Sequence, residues 1–138
     1  MAKVFIDTNI LVYSLDKHDL NKLKTSRDLL KTVRTKHEGV ISTQVLQEFY
    51  VASTKKLKAD PIVVKEVLKS FEHLEIVLID PQLIMNAIDI NMQNKISFWD
   101  ALIIAAAAHA NCELLWTEDL NPGQIIRGVE VINPYQTE

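Results

Sequence analysis

Four acids stand where their settings could do chemistry: Asp7, Glu48, Asp100 and Asp119. Asp7 closes the apolar run Val4-Phe5-Ile6, and Asp119 stands three residues past the end of Leu114-Leu115-Trp116. β-Branched and aromatic residues in such short runs read as buried strands. In an open α/β sheet, ligands bind outside the carboxyl ends of strands, so acids delivered there can anchor a site. Asp100 opens the apolar segment Ala101 to Ala108. Glu48 lies three residues after Val45 and four before Ala52, at the rim of a helix's inner face. If the sheet is parallel, both strand-end acids emerge on the side of the helix N-termini. The four carboxylates can then meet in one cleft.

Such a meeting is costly without a counter-ion. Two carboxylates ~5 Å apart repel by roughly 3 kcal/mol at an effective dielectric of ~20. Protonation or a divalent cation must relieve that repulsion. All-oxygen donors select hard cations, Mg²⁺ or Mn²⁺, over zinc. Carboxylate-held metals suit phosphodiester hydrolysis, activating a water and stabilising the leaving oxygen. Each acid also has a plainer reading. Asp7 can simply cap the helix that follows, Glu48 can be solvated, and Asp100 can complete a capping box begun by Ser97.

The elements that must position these residues alternate. Strands are expected at 4–6, 40–41, 75–79, 114–116 and 129–133. Helices are expected at 9–15, 20–36, 43–57, 60–71, 81–93 and from Ser97 through the alanine-rich segment. Ser42 or Thr43 caps the third helix, and Asp60-Pro61 and Asp80-Pro81 start the fourth and fifth. Leu20, Leu23, Leu29, Leu30 and Val33 form the apolar stripe of the second helix; Val45, Leu46, Phe49, Tyr50, Ala52 and Ser53 form that of the third. The last strand reads as an edge, being short and followed by Pro134. Strand-then-helix order indicates an α/β fold with a parallel sheet. Trp99 is expected in the core beside Phe98, and the final residues are expected to fray.

A chain of 138 residues is expected to form one domain and can bury about two-thirds of its unfolded surface. The lone Cys112 leaves no internal disulfide and fits a reducing compartment. The four histidines, far apart and without a second cysteine, offer no zinc spacing. The start of the chain does not read as a signal peptide, and the apolar run at 101–108 is too short for a bilayer. A soluble, cytoplasmic protein is expected. The net charge of −3 argues against strong non-specific nucleic-acid binding over the whole surface. Residues 17–36 nevertheless hold seven basic residues against two acids. Lys22, Lys24 and Arg27 there are candidate RNA contacts, with a solvated helix face as the alternative.

Taken together, Asp7-Thr8-Asn9, Gln47-Glu48, Phe98-Trp99-Asp100-Ala101 and Thr117-Glu118-Asp119-Leu120 resemble the PIN domain. More closely, they resemble the small VapC-type ribonuclease toxins of bacterial toxin–antitoxin pairs. The resemblance runs from residue 4 to about residue 133, so 1–138 reads as a single PIN domain. It implies a Rossmann-like sheet of about five parallel strands flanked by helices, the first strand central and the fourth beside it. It also implies Asp7, Glu48, Asp100 and Asp119 as the catalytic, metal-binding set. Thr8, Asn9 and Thr117 would hold them or face the substrate. Glu118 would be a solvated extra carboxylate.

The function this implies is a Mg²⁺- or Mn²⁺-dependent endoribonuclease with RNA as substrate. A VapB-type antitoxin would block its acidic groove, and the toxin would be a homodimer. Alternatives are a housekeeping RNA-processing nuclease of the same chemistry, a non-catalytic RNA-binding module, and an Asp-dependent phosphatase. The phosphatase reading meets Asn9 where such enzymes place a second Asp.

Overall fold

The computed structural model describes residues 2–136. Met1, Thr137 and Glu138 lie outside the described residues, and so does the expected fraying at the end of the chain.

The core is built on strand β1 (Ala2–Ile6), whose Val4, Phe5 and Ile6 are fully buried. Burying side chains of this size contributes about 1.5–3 kcal/mol each. Helix α1 (Thr8–Tyr13) follows at once, then α2 (Leu20–Thr35) and strand β2 (His37–Ser42). Helix α3 (Thr43–Lys55) is capped by Ser42, whose hydroxyl accepts from the Val45 amide. Helix α4 (Pro61–Lys69), a 3₁₀ turn (Ser70–His73) and strand β3 (Glu75–Val77) complete the first half. Asp60 and Asp80 cap α4 and helix α5 (Pro81–Asn94), with proline in the first turn of each.

Helix α6 (Phe98–His109) is buried from Ala101 to Ala107, as its all-round apolar sequence requires. It packs on α5. Strands β4 (Leu114–Trp116), β5 (Ile125–Ile126) and β6 (Val129–Ile132) close the chain.

The sheet order is β3-β2-β1-β4-β6-β5. All pairs are parallel except β5 with β6. The chain winds outward from β1 to β3, then returns to lay β4 on the other side of β1. The strand order therefore reverses between β1 and β4, and a crevice opens at such a switch point. The register pairs Phe5 with Leu115 and Ile6 with Trp116, which sets Asp7 beside Thr117. Among the described residues, no helix is long and apolar enough to cross a membrane.

The α/β fold with a central first strand and an adjacent fourth strand is as expected. The details correct the sequence reading in four places. The sheet has six strands, not about five, and one pair is antiparallel. The last strand is interior rather than an edge, because β5 pairs outside it; Pro134 falls beyond Ile132 and removes no ladder hydrogen bond. The β5–β6 hairpin turns through Arg127 and Gly128, both at positive φ. A two-residue loop of this kind matches the twist of paired strands. Strand β3 stops at Val77, leaving Leu78 72% exposed. Leu20 and Tyr50, placed on inner faces by periodicity, point outward.

Candidate active site

Asp7 occupies the N-cap of α1 in an extended conformation. It is a cap and more than a cap. Its Oδ1 accepts from the Thr8 amide at 2.7 Å, and its Oδ2 accepts from the Thr117 hydroxyl at 2.7 Å. The carboxylate is buried. Desolvation is the main reason its pKa rises to about 7. The charges of Asp119 and Glu48 push in the same direction, while the two hydrogen bonds oppose the rise.

The other acids arrive on three separate elements. Glu48, on α3, accepts from the Thr8 hydroxyl at 2.8 Å through Oε1. Asp119, just past β4, accepts from Asn9 Nδ2 at 3.1 Å, and its own amide donates to Thr117 Oγ1 at 3.1 Å. Burial raises the Asp119 pKa, and Asp100, Glu118 and Glu48 add repulsion that Lys56 partly offsets. Asp100 sits in the first turn of α6, where its amide donates to the Ser97 hydroxyl. A carboxylate there also meets the positive end of the helix dipole.

All four acids, with Thr8 and Asn9, line one cleft of about 460 Å³. Thr117 lies beneath, holding Asp7. The three polar neighbours thus divide the work: Thr8 holds Glu48, Asn9 holds Asp119, and Thr117 holds Asp7. Among the described residues, no three acidic, histidine or cysteine side chains are gathered tightly enough to form a metal centre.

Several features escaped the sequence reading. Gln44 and Lys55 of α3, and Lys56 just past its end, also line the cleft. Gln44, Glu48, Ala52 and Lys55 recur at helical spacing on one face, a signal that was available. Gln44 Nε2 donates to the Trp99 carbonyl at 3.2 Å and so ties α3 to the start of α6.

Trp99 is not in the core. It is 62% exposed on the lip of the cleft, with its ring edge-to-face on Phe98. Ala101 to Ala107 fill the interior of α6, so the second helical residue is free to face outward.

Glu118 is not solvated. It pairs with Lys22 Nζ at 2.9 Å and accepts from the Tyr13 hydroxyl. Lys22 also lies 4.5 Å from the Tyr13 ring centroid, and Glu118 holds its ammonium above the usual range. Lys22, Lys24 and Arg27 do not line the cleft. Arg27 Nε donates instead to the Ser14 carbonyl.

The sequence pattern of the PIN domain matches residues 4–125. Comparison with curated proteins finds no match. Among solved structures, the chain is similar to a toxin–antitoxin complex from Klebsiella pneumoniae, with 21% identity, a TM-score of 0.71, and 97% of this chain and 99% of that one covered. It is also similar to the sarcin-ricin-loop-cleaving toxin VapC20 of Mycobacterium tuberculosis, with 16% identity, a TM-score of 0.68, and coverage of 84% and 91%. DNA-bound VapBC from Salmonella typhimurium is a third, with 20% identity, a TM-score of 0.67, and coverage of 95% and 97%. At these identities the likeness is one of fold. The sequence match, which spans most of the chain, establishes that the protein belongs to the PIN domain family.

Proposed function

We propose that the chain, acting over residues 1–138 as a single PIN domain, is a metal-dependent endoribonuclease and the toxin of a toxin–antitoxin pair. The observation that carries this reading is that Asp7, Glu48, Asp100 and Asp119, from four separate elements, all line one cleft at the switch point of the sheet. Their donor atoms are all carboxylate oxygens, which suit Mg²⁺ or Mn²⁺. Mutual repulsion also fits a cation: Asp119 and Glu48 help to raise Asp7, and Asp100 helps to raise Asp119. A divalent cation bound there would supply an activated water and charge stabilisation for the leaving oxygen.

The chain's own residues do the rest. Thr8, Asn9 and Thr117 fix the carboxylates, and Lys55 and Lys56 bring positive charge to the wall of an otherwise acidic cleft. No protein nucleophile is required.

The Klebsiella structure is a toxin–antitoxin complex, and the Salmonella structure is DNA-bound VapBC. By that likeness the proposed partner is a VapB-type antitoxin; a homodimer and action in the cytoplasm are proposed beside it, without support from those structures.

The test is cleavage of a mixed RNA pool by purified, antitoxin-free protein in Mg²⁺, Mn²⁺ or EDTA, beside Asp7→Asn. Cleavage that needs both metal and Asp7 is the expected result. Equal cleavage by the Asp7→Asn protein overturns the assignment. Growth arrest relieved by co-expressing the neighbouring gene is expected of a toxin; an arrest it leaves unchanged counts against the pair.

A further inference from the structure

We infer that the Trp99 indole is a stacking platform for one unpaired nucleobase, with Lys55 and Lys56 taking the adjoining phosphates. The cleft would thereby select single-stranded RNA. The inference rests on the nuclease reading and names the form of substrate that its site accepts.

Three observations converge on it. The first is exposure: Trp99 is 62% exposed in a helix whose residues Ala101 to Ala107 are all buried. A large aromatic surface is left to water at the mouth of the acidic cleft, and folding of the core does not use it.

The second is that the ring is held rather than loose. Phe98 meets it edge-to-face, with centroids 5.1 Å apart, and Phe98 itself packs on the core. The Trp99 carbonyl is fixed by buried Gln44, whose Nε2 is also within 3.5 Å of Glu48 Oε2. The backbone at Trp99 and one of the four acids are therefore anchored by the same side chain. A ring ordered in advance loses little entropy when a base stacks on it.

The third is the chemistry of the wall. Val51, Ala52 and Ile103 line the same cleft as the indole and are apolar, while Lys55 and Lys56 add cations. An apolar face for a base, amines for phosphates and carboxylates below match the parts of one nucleotide. The cleft volume, about 460 Å³, lies within the range of small-ligand sites.

Duplex RNA cannot use this arrangement. Its base faces are occupied by stacking and its deep groove excludes side chains, whereas loops and single strands can turn a base onto an aromatic ring. With a net charge of −3, the protein has little general attraction for RNA, so stacking and the local lysines must supply it.

The test measures binding of a mixed-sequence, single-stranded oligoribonucleotide in Mg²⁺ to the Asp7→Asn protein, which on this reading binds RNA without cutting it. Quenching of tryptophan fluorescence is expected, and it should vanish in Trp99→Phe, because Trp116 is buried. Trp99→Phe should keep its affinity, since a phenyl ring still stacks. Trp99→Ala should bind roughly ten-fold more weakly. Scanning one abasic site along the strand should find a position where the Ala and Trp proteins bind alike.

Equal affinity of the Ala and Trp proteins for the intact strand overturns the inference, as does preferential binding of a duplex. Cleavage of the RNA pool by the wild-type protein separates the two failures. Cleavage together with equal affinities discards only the stacking role. Neither cleavage nor binding discards the nuclease reading with it. Loss of a protein partner in Trp99→Ala, with RNA affinity unchanged, likewise overturns the inference and makes the indole a protein contact.

Discussion

The Thr117 hydroxyl donates to Asp7 Oδ2 at 2.7 Å, across the seam where β1 and β4 lie side by side. Thr117 Oγ1 in turn accepts from the Asp119 amide. One small side chain thus couples the two strand-end acids, and it opposes the rise of the Asp7 pKa to about 7. Replacing it with valine keeps the shape and removes the donor. In metal-free Thr117→Val protein, the Asp7 pKa should move further up, by about 1–2 units for a lost bond to a charged group. Thr117→Ser should titrate like the wild type. Carboxyl-carbon NMR titration in EDTA reads both, and an unmoved Asp7 in the valine protein refutes the coupling.

Asp7 also makes stability depend on pH. Its folded-state pKa of about 7 lies above the ordinary value of 3.8. The folded state therefore binds more protons than the unfolded state between these values, and stability falls as pH rises from about 4 to about 7. The loss amounts to a few kcal/mol at most. Asp7→Asn removes that ionisation. In EDTA at pH 8 the Asn protein should melt above the wild type, and the gap should close toward pH 4. A lower melting point for Asn at pH 8 would show that the lost hydrogen-bond geometry outweighs the relieved desolvation.

Strand–acid repeats made Asp7 and Asp119 candidates, because such an acid stands at a parallel sheet's carboxyl end; helix capping was the competing use of Asp7. Thr8, Asn9 and Thr117 followed instead from the resemblance of their motifs to the PIN domain. Trp99 was not legible, since a tryptophan beside a phenylalanine in an apolar segment looks like core, and only the packing of Ala101 to Ala107 reveals which side is full. Lys22 was misplaced by counting charge along the chain. Its partner Glu118 is ninety-six residues away, a distance that local patterning cannot bridge. Strand β5 escaped because two residues give no periodicity, and because arginine is an unusual first residue for its turn.

Gly39 shows how closely β2 approaches the helical layer. A Cβ there would fall 2.6 Å from Leu74 Cδ2 and 3.2 Å from Val33 Cβ. Leu74 can rotate its far end, but both neighbours are buried and Val33 would be crowded at its branch point. Gly39→Ala should cost about 1–3 kcal/mol through overpacking. Gly39 does not line the cleft, so RNA cleavage by the folded fraction should persist. Thermal melting with an activity assay at low temperature checks both parts. An unchanged melting point would mean that Leu74 swings aside without cost.

The two lysine groups should part company in salt. Lys55 and Lys56 line the cleft, whereas Lys22 is committed to Glu118 and to the rings of Tyr13 and Tyr135. A lysine that contacts a phosphate releases counterions when RNA binds, contributing about 0.7 to the slope of log affinity against log salt for a single strand. Lys55→Gln with Lys56→Gln should therefore flatten the slope by about 1.4. Lys22→Gln should leave the slope alone and instead lower stability by up to about 1 kcal/mol, the ordinary worth of a partly exposed ion pair. Binding titrations across salt, paired with denaturant melts of each variant, separate the roles. A flattened slope in Lys22→Gln would return this residue to the RNA-binding surface and show that its pairing with Glu118 yields to phosphate.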